Sequence, residues 1–129
     1  MLSSALFLLP ALYAFSLGEI VFGTLAVITA GISTWYHLVK PEGPHWWSDK
    51  KATSYQNLML SLDTLVAIIF VLYSVYIFYI KDFPNTFFIA VIFFIPLFIQ
   101  FLIPTKKYYE LQHTLWHVGA ACLAFLPLL

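Results

Sequence analysis

Residues 58–80 read LMLSLDTLVAIIFVLYSVYIFYI, an apolar run broken by one charged side chain, Asp63. A helix needs about 20 apolar residues to cross a hydrocarbon core of about 30 Å, and this run is long enough. An acid inside such a run is costly and marks a functional position. Working outward, a second apolar segment precedes it from about Ile20 to Val39 and carries Ser33 and His37 near its end. Two more follow it, from Phe83 to Ile103 and from about Tyr108 to Leu128, the last bearing His113 and His117. A first segment, about Leu2 to Leu17, contains Pro10 and is short.

Composition agrees. The chain is 62% hydrophobic and 9% charged, whereas soluble domains are about 45–50% apolar and about 25% charged. The expectation is a single all-α domain over residues 1–129, a polytopic transmembrane bundle of about five helices in the lipid bilayer. Net charge is zero, and the basic residues never cluster beyond Lys50-Lys51 and Lys106-Lys107. That excludes nucleic acid as a partner and gives no polybasic lipid-binding stretch. Cys122 offers no intrachain disulfide and reads as a small buried apolar residue.

The first segment lacks a basic leader and a small-x-small cleavage site, so it is read as retained rather than as a signal peptide. Gly18-Glu19 turns the chain into the second segment. Pro84 suits the first turn of the fourth, Pro96 is expected to kink it and Pro104 to close it. In the connection 40–57, Pro41, Gly43 and Pro44 break the chain, His45-Trp46-Trp47 has interfacial character, and Ser48-Asp49 is expected to cap a short turn. Alternation of segments places Lys40, Lys50, Lys51, Lys106 and Lys107 on one side and Lys81 on the other. The positive-inside rule makes the Lys-rich side cytoplasmic.

That side gathers the polar residues. His37, Asp63 and His113 each fall near the Lys-rich end of their segments, at similar depth. His113 and His117 are i,i+4 and share one helical face, as do Ser33 and His37, with Ser33 one turn deeper. Three imidazoles with a carboxylate nearby are the parts of a zinc site with its fourth position open. Zinc brings the pKa of bound water to near 7. Asp63 can orient that water, accept its proton, or hold an imidazole from behind. Ser33 can donate to an oxygen on which charge develops, or merely bond its own i−4 carbonyl. His45 is a further candidate ligand. Trp116, Tyr36, Tyr108 and Tyr109 read as packing or interface anchors.

Ser-x3-His, then Asp, then His-x3-His resembles the ceramidase-like seven-helix superfamily, which includes alkaline ceramidases, adiponectin and progestin receptors, Per1-like proteins and myomaker-related proteins. The stretch from Tyr109 to Ala120, with Trp116-His117, looks nearest the myomaker-related branch. The resemblance covers the second, third and last helices. It implies that His37, His113 and His117 hold zinc, that Asp63 contacts the zinc-bound water and that Ser33 lies beside it. The family has seven core helices against five here, as if one hairpin between the third and last were missing; a second copy of the chain could replace it.

The leading expectation is a zinc-dependent lipid hydrolase, cleaving an acyl amide or ester of a membrane lipid whose tails enter between segments three and four. The alternative is a zinc-tied membrane protein without catalysis, acting in remodelling, fusion or reception. A proton path through His37, Asp63 and the histidine pair is the weakest expectation, since only Thr24, Thr29, Ser74 and some Tyr continue towards the far side.

Overall fold

The computed structural model describes residues 2–102 and 108–129. Among these the regular structure is helix alone: a 3₁₀ turn over Leu2–Phe7, α1 over Leu8–Ser16, α2 over Ile20–Val39, α3 over Ser54–Ile80, α4 over Asn85–Leu102, α5 over Tyr109–Leu123 and a last 3₁₀ turn over Leu126–Leu128. The all-α expectation and the count of five helices hold. Two of the helices, α2 and α3, are long and apolar enough to cross a membrane. Pro104, Lys106 and Lys107 lie outside the described residues.

α2 starts and ends with its apolar run. Phe22, Gly23, Ala26, Thr29, Ala30, Ser33, Tyr36 and His37 are its buried residues, recurring every three or four positions and so forming one face. The small residues let α1 come close: a Cβ on Gly23 would meet the Phe15 ring at 2.5 Å, and Ala11 and Ala14 are fully covered opposite. Between α1 and α2 the chain reverses at Gly18, whose φ of 79° suits glycine.

α3 begins before its apolar run, and Thr53 caps it. The Thr53 hydroxyl accepts from the Gln56 N–H at 3.2 Å, and Gln56 Oε1 accepts from the Thr53 N–H at 2.9 Å. This reciprocal box satisfies two orphan donors at once. Of Ser48-Asp49, Asp49 caps the expected short turn ahead of α3, its carboxylate accepting the Lys51 N–H at 2.9 Å and its carbonyl the Ala52 N–H at 3.2 Å. The Gln56 amide also donates to the Val39 carbonyl at 2.7 Å, which fastens the start of α3 to the end of α2.

Pro84 stands just ahead of α4, its carbonyl accepting the Phe87 N–H at 2.8 Å, and α4 continues through Pro96. α5 is shorter than its apolar run. It stops at Leu123, and Pro127, which has no N–H to donate, lies in the separate turn that follows. Its length is then about 22 Å. Cys122 faces outward and is exposed, against the expectation of burial.

The N-terminal 3₁₀ turn folds inward against α2 and α5. Its Phe7 ring meets Phe70 of α3 edge-on at 5.9 Å and His117 of α5 at 6.5 Å. α4 pairs with α5, where Gly119 lets Leu97 approach so closely that a Cβ would stand 2.9 Å from it. α3 meets α4 near their common turn, through Phe78 and Phe87 at 5.4 Å. Lys81 Nζ donates to the Pro127 carbonyl at 2.8 Å at the same end. Away from that end a cleft of about 760 Å³ separates α3 from the α4–α5 pair.

Candidate metal centre and the cleft beside it

Three imidazoles from two helices converge at the end of α2. His37 Nε2 lies 3.1 Å from His117 Nε2 and 3.0 Å from His113 Nε2, and the latter two are 3.0 Å apart. His37 and His117 are buried and His113 is half-buried. The i,i+4 spacing on α5 stacks its two rings on one face, and His37 faces them because it continues the buried face of α2.

The triangle is not a hydrogen-bond network. A neutral Nε2 either carries a proton and donates, or holds a lone pair and accepts. Around three such atoms at least one edge must join two donors or two acceptors. Three lone pairs aimed at one electrophile have no such conflict. Ligands set tetrahedrally about 2.0–2.1 Å from an ion stand about 3.3 Å apart, close to the 3.0–3.1 Å found between these nitrogens. The group could therefore hold a metal ion. His117 Nδ1 is buried with no partner among the described residues, so the ring is held by packing against Phe7.

His45 is not part of the group. Its Nε2 faces Asn57 Oδ1 at 3.1 Å and its Nδ1 faces the Tyr36 hydroxyl at 3.0 Å. An amide oxygen can only accept, so His45 donates from Nε2 and accepts the Tyr36 proton at Nδ1. Both nitrogens are used in tying the 40–53 connection to α2 and α3.

Ser33 and Asp63 sit next to each other. Both line the cleft, and Ser33 Oγ donates to Ser4 Oγ of the N-terminal turn at 3.3 Å. Other helical hydroxyls bond their own i−4 carbonyl: Ser61 to Asn57 at 2.9 Å, Thr64 to Leu60 at 2.8 Å and Ser74 to Phe70 at 2.9 Å. Ser33 reaches across helices instead, which sets aside its reading as a self-bonded packing residue. Ser4, fully buried, is a site neighbour the sequence did not single out; a lone serine distant in the chain leaves no local pattern.

Ser33, Asp63, His113 and His117 all line the cleft. Its length is walled by apolar side chains, among them Ala67, Val71 and Val75 of α3 and Val91, Phe94 and Phe98 of α4. At the loop end, Tyr109 packs on His113 at 5.3 Å and carries the Lys40 ammonium 5.0 Å from its ring centre. Burial lowers the Lys40 pKa from its ordinary value, and nearby Glu110 works the other way. Lys40 Nζ also donates to the Gly43 carbonyl at 3.0 Å. Tyr36 and Tyr109, expected as mere anchors, thus frame the histidines.

Comparison with protein-family models, with curated proteins and with solved structures returned no match to this chain.

Proposed function

We propose that the chain is a multi-pass membrane protein whose three histidines bind zinc, and that it hydrolyses an acyl amide or ester bond of a membrane lipid, as its five-residue pattern suggests by resemblance to the ceramidase-like superfamily. The observation that carries this is the 3.0–3.1 Å triangle of Nε2 atoms on the wall of an apolar cleft that also holds Asp63 and Ser33.

Membrane placement draws on exposure. Only 17% of the most apolar window of α3 is buried, against 44% for α2, and Leu58, Leu65, Ile69, Leu72, Tyr76 and Ile80 stand open on its surface. A helix at the centre of a water-soluble protein would be covered; lipid accepts such a surface without cost. The site lies at the end of the bundle marked by Lys40, Lys50 and Lys51, taken as the cytoplasmic face.

Bound zinc would supply hydroxide at neutral pH and polarise the scissile carbonyl. Asp63 takes the proton that the attacking water loses and returns it to the leaving nitrogen or oxygen as its bond to the acyl carbon breaks. Ser33 has one proton to give. At rest that proton goes to Ser4 Oγ. With substrate bound, Ser33 turns it to the oxygen on which negative charge grows, a stronger acceptor than a neutral hydroxyl. The cleft takes the hydrocarbon chains and keeps bulk water away from the carbonyl.

The test is metal content of detergent-purified protein beside the His113→Ala/His117→Ala variant, followed by acyl release from ceramides and phospholipids. About one zinc per chain, lost in the variant and needed for release, is expected. Absence of zinc from protein purified without chelators and supplied with the metal would overturn the reading.

A second reading has one observation behind it. α2 and α5 are joined through the N-terminal 3₁₀ turn and the imidazole triangle rather than by broad packing. A zinc there could serve to tie helices in a non-catalytic remodelling, fusion or receptor protein. Ser33→Ala would then be silent.

A further inference from the structure

Tyr109 of α5 carries a hydroxyl that the proposed chemistry does not use. It lines the cleft and is half-buried. The other hydroxyls of that wall are taken. Thr64 and Ser74 donate to carbonyls of their own helix, Tyr36 donates to His45 and Ser33 to Ser4, while Thr29 Oγ1 is sealed from the cleft. The described contacts of Tyr109 are those of its ring, on His113 at 5.3 Å and against the Lys40 ammonium at 5.0 Å; its hydroxyl hydrogen-bonds no described residue. That hydroxyl lies within electrostatic reach of the Asp63 carboxyl.

Helix direction places it. α2 runs towards the 40–53 connection and α5 runs away from it. Ser33, four residues before His37, is therefore about 6 Å to the deep side of the histidines, and Tyr109, four residues before His113, about 6 Å to the loop side. The i,i+4 spacing also puts Tyr109 on the helical face that carries His113 and His117. A substrate with its carbonyl at the histidines and its acyl chain along the deep apolar wall presents its departing atom on the loop side. The positive charge of Lys40 at the ring favours negative charge on the phenol oxygen, and so makes the O–H a stronger donor.

We infer that Tyr109 is a further catalytic residue, whose hydroxyl donates a hydrogen bond to the departing nitrogen or oxygen as negative charge gathers there. This rests on the lipid-hydrolase reading and deepens it. The bond between the acyl carbon and the departing atom breaks, its electron pair stays with that atom, and Asp63 supplies the proton; Tyr109 keeps its own throughout. Such a donor counts most where the departing atom holds charge poorly, as in an alkyl ester or amide, and least where an aromatic ring spreads the charge.

The test therefore varies the departing group. Tyr109→Phe removes the hydroxyl and keeps the ring on His113 and against Lys40, so zinc content should match wild type. Zinc-loaded protein in detergent is given the tetradecanoyl group on ethanol and on 4-nitrophenol, and on ethylamine and on 4-nitroaniline. The variant is expected to lose about tenfold in kcat with the ethyl member of the pair that is cleaved and at most about twofold with the nitroaryl member, the difference being one hydrogen bond to developing charge. Binding gives a second readout. Ethyl tetradecylphosphonate has an oxygen where the departing atom sits and should bind the variant about fivefold more weakly, whereas tetradecanoate, which lacks that atom, should bind both proteins alike. Equal loss with both members of a pair, or loss with neither, overturns the role of Tyr109 and leaves the hydrolase standing, since wild type still releases the acid. No release from any of the four by wild type overturns the hydrolase reading and this inference with it.

Discussion

Ser33 Oγ donates to Ser4 Oγ at 3.3 Å, joining α2 to the N-terminal turn, and lines the same cleft as Asp63. A hydroxyl has one proton. Ser33 gives it to Ser4 Oγ, which fixes the direction of the Ser33 hydroxyl. That contact makes the N-terminal turn part of the site.

Ser4→Ala should therefore lower kcat about tenfold with KM and zinc content unchanged, because Ser33 loses the acceptor that fixes its direction. Ser4→Thr keeps a hydroxyl and should recover most of the loss. Steady-state kinetics per bound zinc checks both. Wild-type turnover in Ser4→Ala would show the contact to be packing alone.

The histidine triangle makes a separate prediction about stability. If one ion satisfies three lone pairs, removing it leaves three nitrogens at 3.0–3.1 Å with no consistent pattern of donors and acceptors. A chelator should lower the melting temperature of the wild type by several degrees, as expected for loss of a ligand bound well above its dissociation constant. It should not affect His117→Ala, which has already lost the metal. Thermal unfolding with and without chelator, alongside elemental analysis, reads this directly.

Asp63→Asn and Ser33→Ala separate catalysis from metal binding. Neither residue belongs to the nitrogen triangle, so both variants should keep zinc. Loss of a general base costs about 10²–10⁴-fold in rate, and loss of an oxyanion donor about 10²–10³-fold. Acyl release should fall by at least about a hundredfold in each. Retained release in both variants would leave the metal as a tie between helices.

Much of this site was legible because its chemistry is local. His113 and His117 announce a shared face by their spacing, and His37 and Asp63 stand out where hydrocarbon surrounds them. The ends of α2 could be read from the apolar run. What could not be read depends on contacts far apart in sequence. Ser4 is one small polar residue among many until the N-terminal turn folds against α2. The start of α3 lies at Thr53, four residues past the turn that Asp49 caps, because Thr53 and Gln56 close a reciprocal box. Cys122 is the last residue but one of a short helix, on a face that no described element covers, and composition alone gives no face.

The cleft offers a test of substrate entry. Ala67 is one turn beyond Asp63 on α3 and lines the cleft opposite Phe94 and Phe98 of α4. A tryptophan there would fill the path of a chain while leaving Asp63 and the histidines in place. Ala67→Trp should abolish release of long acyl chains by at least about tenfold in kcat/KM, while short-chain substrates that end before the obstruction are spared, since only binding realised along the chain is lost. Leu65 provides the control. It is on the same helix, exposed, and absent from the cleft wall, so Leu65→Trp should change neither chain-length preference nor zinc content. Equal sensitivity of the two variants would mean that chains reach the carbonyl by another route, and that the space between α3 and α4 is filled by something other than substrate.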